Sequence, residues 1–190
     1  MPPKVKYAKE EIIRAALDVV RGGGEAALNA RAIADRLGCS TQPLYRELRN
    51  MEEIRQAVLN EAQKLYAARV TESAGLAETP YKSAGIAFLR FANEEKELFK
   101  LLFMRDRSGQ RQDTETSDPG LAYALSAIEA AYGFTPAQSR EFHLHMSIYT
   151  HGLGVMVATN YTDFDEKAFS DALSAEFRAL RLLFSQGRED

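Results

Sequence analysis

Cys39 is the only cysteine in this 190-residue chain. An internal disulfide framework is therefore excluded, which suits a reducing cytoplasm. No apolar run approaches the roughly 18 residues that a membrane span requires. The opening Met1-Pro2-Pro3-Lys4 does not lead into the apolar stretch of a secretory signal. The chain is expected in the cytoplasm, without a membrane partner. Sustained apolar–polar alternation is also missing, so no strands are expected, and there are no internal repeats. A Ser/His/Asp arrangement, a Gly-rich phosphate loop and a cluster of metal ligands are all lacking. That argues against an enzyme and against a cofactor or metal.

The net charge of −3 looks unfavourable to nucleic acid, but it is unevenly spread. Residues 1–50 hold nine Lys/Arg against six acids, a balance of +3 that leaves −6 for the rest. A basic front on an acidic body is what a DNA-reading module attached to a different domain shows. Short segments of any protein also fluctuate by a few charges, so this observation stands with others or not at all.

What the chain does have is helical periodicity. Ile12, Ala15, Ala16, Val19 and Val20 lie on one helical face that stops at Gly22-Gly23-Gly24. A short helix after Asn29 turns Ile33, Ala34 and Leu37 inward and ends at Gly38. The next is expected to begin after Ser40, with Pro43 in its first turn. Asn50, three residues before Glu53, opens a long helix with an Ile54, Val58, Ala62, Leu65 stripe. Thr79-Pro80, Asp118-Pro119 and Thr135-Pro136 each pair a cap with Pro at the first helical position. Helices are expected over about 80–92, 94–104, 119–132, 136–158 and 165–185. Arg105 to Ser117 is polar and reads as a mobile surface loop. The fold class is all-α: a helix-turn-helix domain over residues 1–50 and a larger helical domain over 51–190.

The segment Asn29–Arg46 carries the chemistry. Two short helices meeting steeply need a small residue at their contact, Ala34, and one tolerant of positive φ in the turn, Gly38. Ile33, Leu37, Cys39 and Leu44 form the wedge between them. Ser40, Thr41, Gln42, Tyr45 and Arg46 are left facing outward, groups able to read base edges and phosphates in a major groove.

Five landmarks, Ile12-Ile13-Arg14-Ala15-Ala16, Arg31-Ala32-Ile33-Ala34, Leu37-Gly38-Cys39-Ser40, Leu44-Tyr45 and Asn50-Met51-Glu52-Glu53-Ile54, resemble in order and spacing the N-terminal domain of the tetracycline-repressor (TetR) family. The resemblance implies a three-helix DNA-binding domain and a fourth helix leading to an effector-binding, dimerising body. It implies that Arg31 touches a phosphate and that Thr41, Gln42, Pro43, Tyr45 and Arg46 face DNA. Its expected partners are double-stranded DNA carrying a palindromic operator, a second copy of the chain, and a small-molecule effector. Glu47, Leu48 and Met51 depart from the pattern, standing where an aromatic or His and then a phosphate-gripping Lys are usual. Ala8 stands where a capping Thr is usual. Further on, Glu95–Phe103 and Ile148-Tyr149-Thr150-His151-Gly152-Leu153 resemble a TetR C-terminal subfamily marked by Trp-His-Gly, with Thr150 in place of the Trp.

In the body, helix 136–158 is apolar on several faces, with Leu144, Ile148 and Val155 on one and Phe142, Met146, Tyr149 and Leu153 on another. The last helix carries Phe169, Leu173, Phe177, Leu180 and Phe184. Two such helices from each of two chains would make a four-helix interface, at which Phe177 and Leu180 are expected. Filling a monomer core is the alternative. Gly152 and Gly154 inside the helix suggest close helix approach. His143, His145 and His151 lack the i, i+4 spacing of a helical metal pair. Phe88, Phe91, Phe103, Tyr123, His145 and Tyr149 are candidates to line an apolar effector pocket, with plain core packing as the other reading. The leading functional expectation is a repressor released from its operator by a small apolar or aromatic molecule. An activator of the same architecture and a helical protein–protein adaptor remain alternatives.

Overall fold

The structure is a computed structural model that describes residues 7–106 and 119–186. Those residues form nine α-helices and one 3-10 turn, with no strand among them. In chain order the helices are α1 Lys9–Gly23, α2 Ala30–Leu37, α3 Leu44–Glu47, α4 Met51–Glu72, α5 Pro80–Glu94, α6 Lys96–Phe103, α7 Pro119–Tyr132, α8 Pro136–Ala158 and α9 Glu166–Gln186. The 3-10 turn is Glu25–Ala27. Beyond Asp106, the segment expected to form a mobile loop lies outside the described residues.

Most boundaries follow from side chains that satisfy the orphan amides of a helix's first turn. Asn29 Oδ1 accepts from the Ala32 amide at 3.0 Å, and Thr79 Oγ1 from the Lys82 amide at 3.1 Å. Thr135 and Gln138 form the reciprocal capping box, at 3.2 and 3.0 Å. At α4, Asn50 Oδ1 accepts from the Glu53 amide at 2.9 Å, while the Glu53 carboxylate reaches back to the Arg49 amide at 2.8 Å. At α1, Ala8 has no capping side chain, but Glu11 accepts from the Ala8 amide at 2.8 Å.

The chain divides into two compact units, Met1–Ala68 with Glu95–Arg105, and Arg69–Glu94 with Asp106–Asp190. Beyond residues 1–50, the first unit thus takes in most of α4, as far as Ala68, and all of α6. Its core is mostly aliphatic: Ile12, Ala16 and Val20 of α1 are buried together with Ile33, Leu44, Leu48, Ile54, Val58, Leu98 and the ring of Phe99, each almost inaccessible to solvent. Burying one such aliphatic side chain contributes about 1.5–3 kcal/mol.

The second unit is centred on aromatic rings. Phe142 of α8 is fully buried, 5.1 Å from the Phe177 ring, 5.6 Å from Phe134 and 5.7 Å from Phe184. This placement corrects the expectation for α9. Leu180 is buried, and Phe177, half-buried, packs on Phe142, Tyr132 and Tyr81 of its own chain, so both belong to the core of their own unit. An apolar stripe repeats with the same period whether it faces its own core or a second subunit. The large apolar groups that α8 and α9 leave exposed are Leu144, Ile148 and Val155, and Leu182 and Leu183. Gly154 is buried, but a Cβ on Gly152 would meet nothing within 4 Å. Nothing within the described chain approaches closely enough to account for Gly152.

Gly38, with φ +66°, ends α2 in the left-handed region and has open space around it. Gly38→Ala is therefore expected to destabilise the chain through backbone conformation alone, by about 1–2 kcal/mol. The measurement is the midpoint of urea unfolding. An unchanged midpoint would show that the turn does not hold this conformation.

Candidate nucleic-acid interface

The turn between α2 and α3 is built from the backbone outward. The Cys39 amide reaches the Ala34 carbonyl at 3.0 Å, and the Gly38 amide reaches that of Asp35 at 3.2 Å, closing α2. The Tyr7 hydroxyl donates to the Leu37 carbonyl at 2.7 Å and satisfies another of the helix's last acceptors. Ile33 and Leu44 are fully buried across the turn, with Leu37 and Cys39 half-buried beside them. Burial pushes the Cys39 thiol pKa up, which disfavours the nucleophilic thiolate.

The second helix is shorter than its sequence suggests. It does not begin after Ser40: α3 is a single turn, Leu44–Glu47, preceded by Pro43. Gln42 precedes a proline, and the clash with the Pro ring disfavours helical backbone at that position. Leu48 then leaves the helix in extended conformation (φ −133°, ψ 130°) and buries its side chain. Ser40, Thr41, Gln42, Tyr45 and Arg46 all face solvent, while Pro43 is half-buried.

Charge pairing divides the cations of this region into two groups. Lys9 lies 3.8 Å from Glu53, Arg55 3.6 Å from Glu52, Arg36 3.1 Å from Asp18 and Arg21 2.7 Å from Glu95. The Arg21 pair is a fork: Nε donates to one Glu95 oxygen at 2.9 Å and Nη2 to the other at 2.7 Å. This hydrogen bonding raises the Arg21 pKa. Arg14, Arg31, Arg46 and Arg49, in contrast, are exposed and have no ion-pair partner among the described residues. Of the positions that depart from the TetR pattern, Glu47 and Met51 are half-buried and Leu48 belongs to the core.

The candidate effector residues are dispersed. Phe88 and Phe91 are buried, Tyr149 is half-buried, and His145 is exposed with its ring 6.3 Å from Phe184. Phe103 belongs to the first unit, where it stacks edge-on against Tyr66 at 5.2 Å. The side chain of Tyr123 lies outside the described residues. Of these, Phe91 borders a cleft of about 70 Å³ that also touches Arg69, Glu72, Arg90 and Glu94. A second cleft, of about 160 Å³ in the first unit, has Leu28, Val58 and Leu101 among its lining residues, with Arg55 and Glu52. Both are smaller than the roughly 300 Å³ of an ordinary small-molecule pocket.

Of the three histidines on α8, for which a buried hydrogen-bonded or pocket-lining role is the expectation in place of metal binding, one has partners that the sequence left unnamed. His143, half-buried on α8, is bonded at Nδ1 to the Tyr81 hydroxyl (2.9 Å) and at Nε2 to Ser147 Oγ (3.2 Å). Burial pushes the Tyr81 pKa far upward, so its phenol keeps its proton. The i, i+4 relation of His143 to Ser147 was visible in sequence, whereas the partner on α5 was not.

The sequence matches no family model and no curated protein. Solved structures do resemble it. A TetR-like transcriptional regulator from Rhodococcus sp. RHA1 superposes with a TM-score of 0.69 over 95% of this chain and 98% of that one, at 17% identity. A TetR variant from Acinetobacter baumannii AYE, in complex with minocycline, gives 0.60 over 97% and 100%, at 21% identity. The multidrug-binding protein EbrR complexed with imidazole gives 0.57 over 88% of each chain, at 17% identity. The chain thus has, over nearly its whole length, the all-helical fold of the TetR-type transcriptional regulators.

Proposed function

We propose that this chain is a member of the TetR family: a cytoplasmic, non-enzymatic, homodimeric regulator of transcription that binds a palindromic operator. In this reading residues 1–50 are the DNA-binding domain, and 51–190 bind effector and dimerise. The observation that carries it is the set of four exposed arginines, Arg14, Arg31, Arg46 and Arg49, that have no counter-charge among the described residues. Unpaired cations beside exposed Ser40, Thr41, Gln42 and Tyr45 are suited to a polyanion whose bases are to be read. Arg31 is assigned to a phosphate, and Ser40, Thr41, Gln42, Pro43, Tyr45 and Arg46 to the DNA-facing surface. Repression relieved by a small apolar or aromatic molecule is the mode proposed, supported by the minocycline complex of a protein with this fold. Phe88, Phe91, Phe103, Tyr123, His145 and Tyr149 remain its candidate contacts.

The exposed apolar faces support the dimer. Leu144, Ile148, Gly152 and Val155 follow one another at helical spacing on α8 and all face solvent, as do Leu182 and Leu183 on α9. A glycine inside a helix costs about 1 kcal/mol relative to alanine. With nothing among the described residues within 4 Å of where its Cβ would stand, Gly152 is explained by a second α8 packed close.

Ile148→Asp or Leu183→Asp is expected to yield a folded monomer, by placing an unpaired charge in the buried interface. Leu180→Asp is expected to unfold the second unit instead. Light scattering with circular dichroism separates the two; a monomeric wild type, or dimers in both surface variants, would refute the interface.

DNA retained by the purified protein from a genomic library supplies the operator, and mobility shifts measure affinity for it. Tyr45→Ala and Arg46→Ala are expected to lose about 1–3 kcal/mol of operator binding each, with unchanged melting temperatures. If both bind as wild type, the reading surface is misplaced. If no DNA is retained at all, the adaptor reading takes over.

Met51→Lys restores the cation usual at the start of the fourth helix. It should strengthen binding to operator and scrambled DNA about equally, since phosphate contacts do not read sequence. Two added contacts per dimer should steepen the log–log salt slope by about −0.9 each. An unchanged slope would mean that residue 51 does not face the backbone of the duplex.

A further inference from the structure

Four charged side chains run in series through the first unit, from the start of α6 to α2. Glu95 stands just before α6 and receives the forked Arg21 guanidinium, 74 positions away in sequence. Asp18, one turn before Arg21 on α1, lies 3.4 Å from Arg21 Nη1 with one oxygen. Its other oxygen accepts from Arg36 Nε and Nη2 at 3.3 and 3.1 Å. Arg36 belongs to the last turn of α2, just ahead of the Gly38 turn.

A second contact lies beside the fork. Gly24, with φ +73°, leaves room for the Glu97 carboxylate: a Cβ there would stand 2.7 Å from Oε2. The first turn of α6 is thus seated on the end of α1 at two adjacent points. Partly exposed ion pairs contribute little to stability as a rule. A bidentate Arg–carboxylate fork differs in fixing direction, because both groups are planar and two parallel bonds hold them in register.

We propose that Arg21 and Glu95 are positioning residues that hold α6 against α1 and, through Asp18 and Arg36, set the orientation of α2. A shift of α6 would then be passed to the Ser40–Arg46 segment by charge contacts within the first unit. This rests on the reading of that segment as the DNA-facing surface, so the test needs one readout that involves no DNA.

The full-length variants are Arg21→Gln, Glu95→Gln and the double variant, with Lys64→Gln, which breaks an exposed α4 ion pair, as control. Hydrogen exchange at the Ala30–Leu37 amides is measured first, then affinity for the DNA fragment that wild-type protein retains, across a salt series. Each single variant is expected to speed α2 exchange and weaken DNA binding by about fivefold, the double no more than either single, because the two groups act as one pair. The salt slope should stay as in wild type and the control should move neither readout. Wild-type exchange in both single variants, or effects that multiply in the double, would overturn the proposal. So would a salt slope smaller by about 0.9 per chain in Arg21→Gln, since Arg21 would then be a phosphate contact. If exchange responds as expected while wild-type protein retains no DNA, the charge linkage stands and the DNA reading falls. If DNA binds but exchange and affinity are unmoved, the linkage falls and the DNA reading stands.

Discussion

Leu44 and Leu48 bracket a helix of one turn, and both are buried almost completely. An isolated turn has no stability in water, because nucleation fixes several residues for a single hydrogen bond. The burial of these two leucines in the first unit is what anchors α3. Every group the segment presents outward, from Ser40 to Arg46, is ordered by that anchorage. The presentation of the surface and the stability of the first unit are therefore one property. A mutation that loosens the wedge should disturb the exposed Ser40–Arg46 surface before it unfolds the chain.

Much of the fold was legible because helix ends are written in local chemistry. Asn29, Asn50, Thr79 and Thr135 each cap the helix that their sequence context predicts, and Gly38 closes α2 in the left-handed region. The start of α3 was misread because the proline permitted at a helix's first position also constrains the residue before it. At residues 41–43 the second effect decides, and the chain runs through a turn before Leu44. The α9 interface was misread for another reason. Periodicity shows that a helix has an apolar face, but the identity of the surface opposite it is a tertiary fact. Phe177 and Leu180 meet their own unit's core, while Leu182 and Leu183 are left outside.

The candidate interface shows the same limit in electrostatic form. Arg21, Arg36, Arg46 and Arg49 are alike in sequence, each in a short segment of mixed charge. What separates them is whether a carboxylate comes back to meet them, and for Arg21 that carboxylate belongs to Glu95 on a distant stretch of chain. Net charge could not make this distinction, since paired arginines count as much as unpaired ones. The surplus of +3 in residues 1–50 signalled basic character, and pairing shows which of the cations are left to act on a partner.

Pairing also bears on how a binding surface of this kind can be regulated. Under the proposed function, arginines that are exposed and lack counter-charges among the described residues are ready for phosphate at all times, so control would act on their orientation rather than on their charge. Orientation is what a fork between two planar groups constrains, and what a hydrated, flexible lysine would not. Glu95 is therefore most informative as a partner of arginine specifically: a lysine at position 21 would keep the charge while surrendering the direction. A fork at the Glu95 end and a looser, single-oxygen contact at the Arg36 end place the stiffer joint next to α6. In the proposed linkage, direction is therefore held more firmly between α6 and α1 than by the charge contact between α1 and α2.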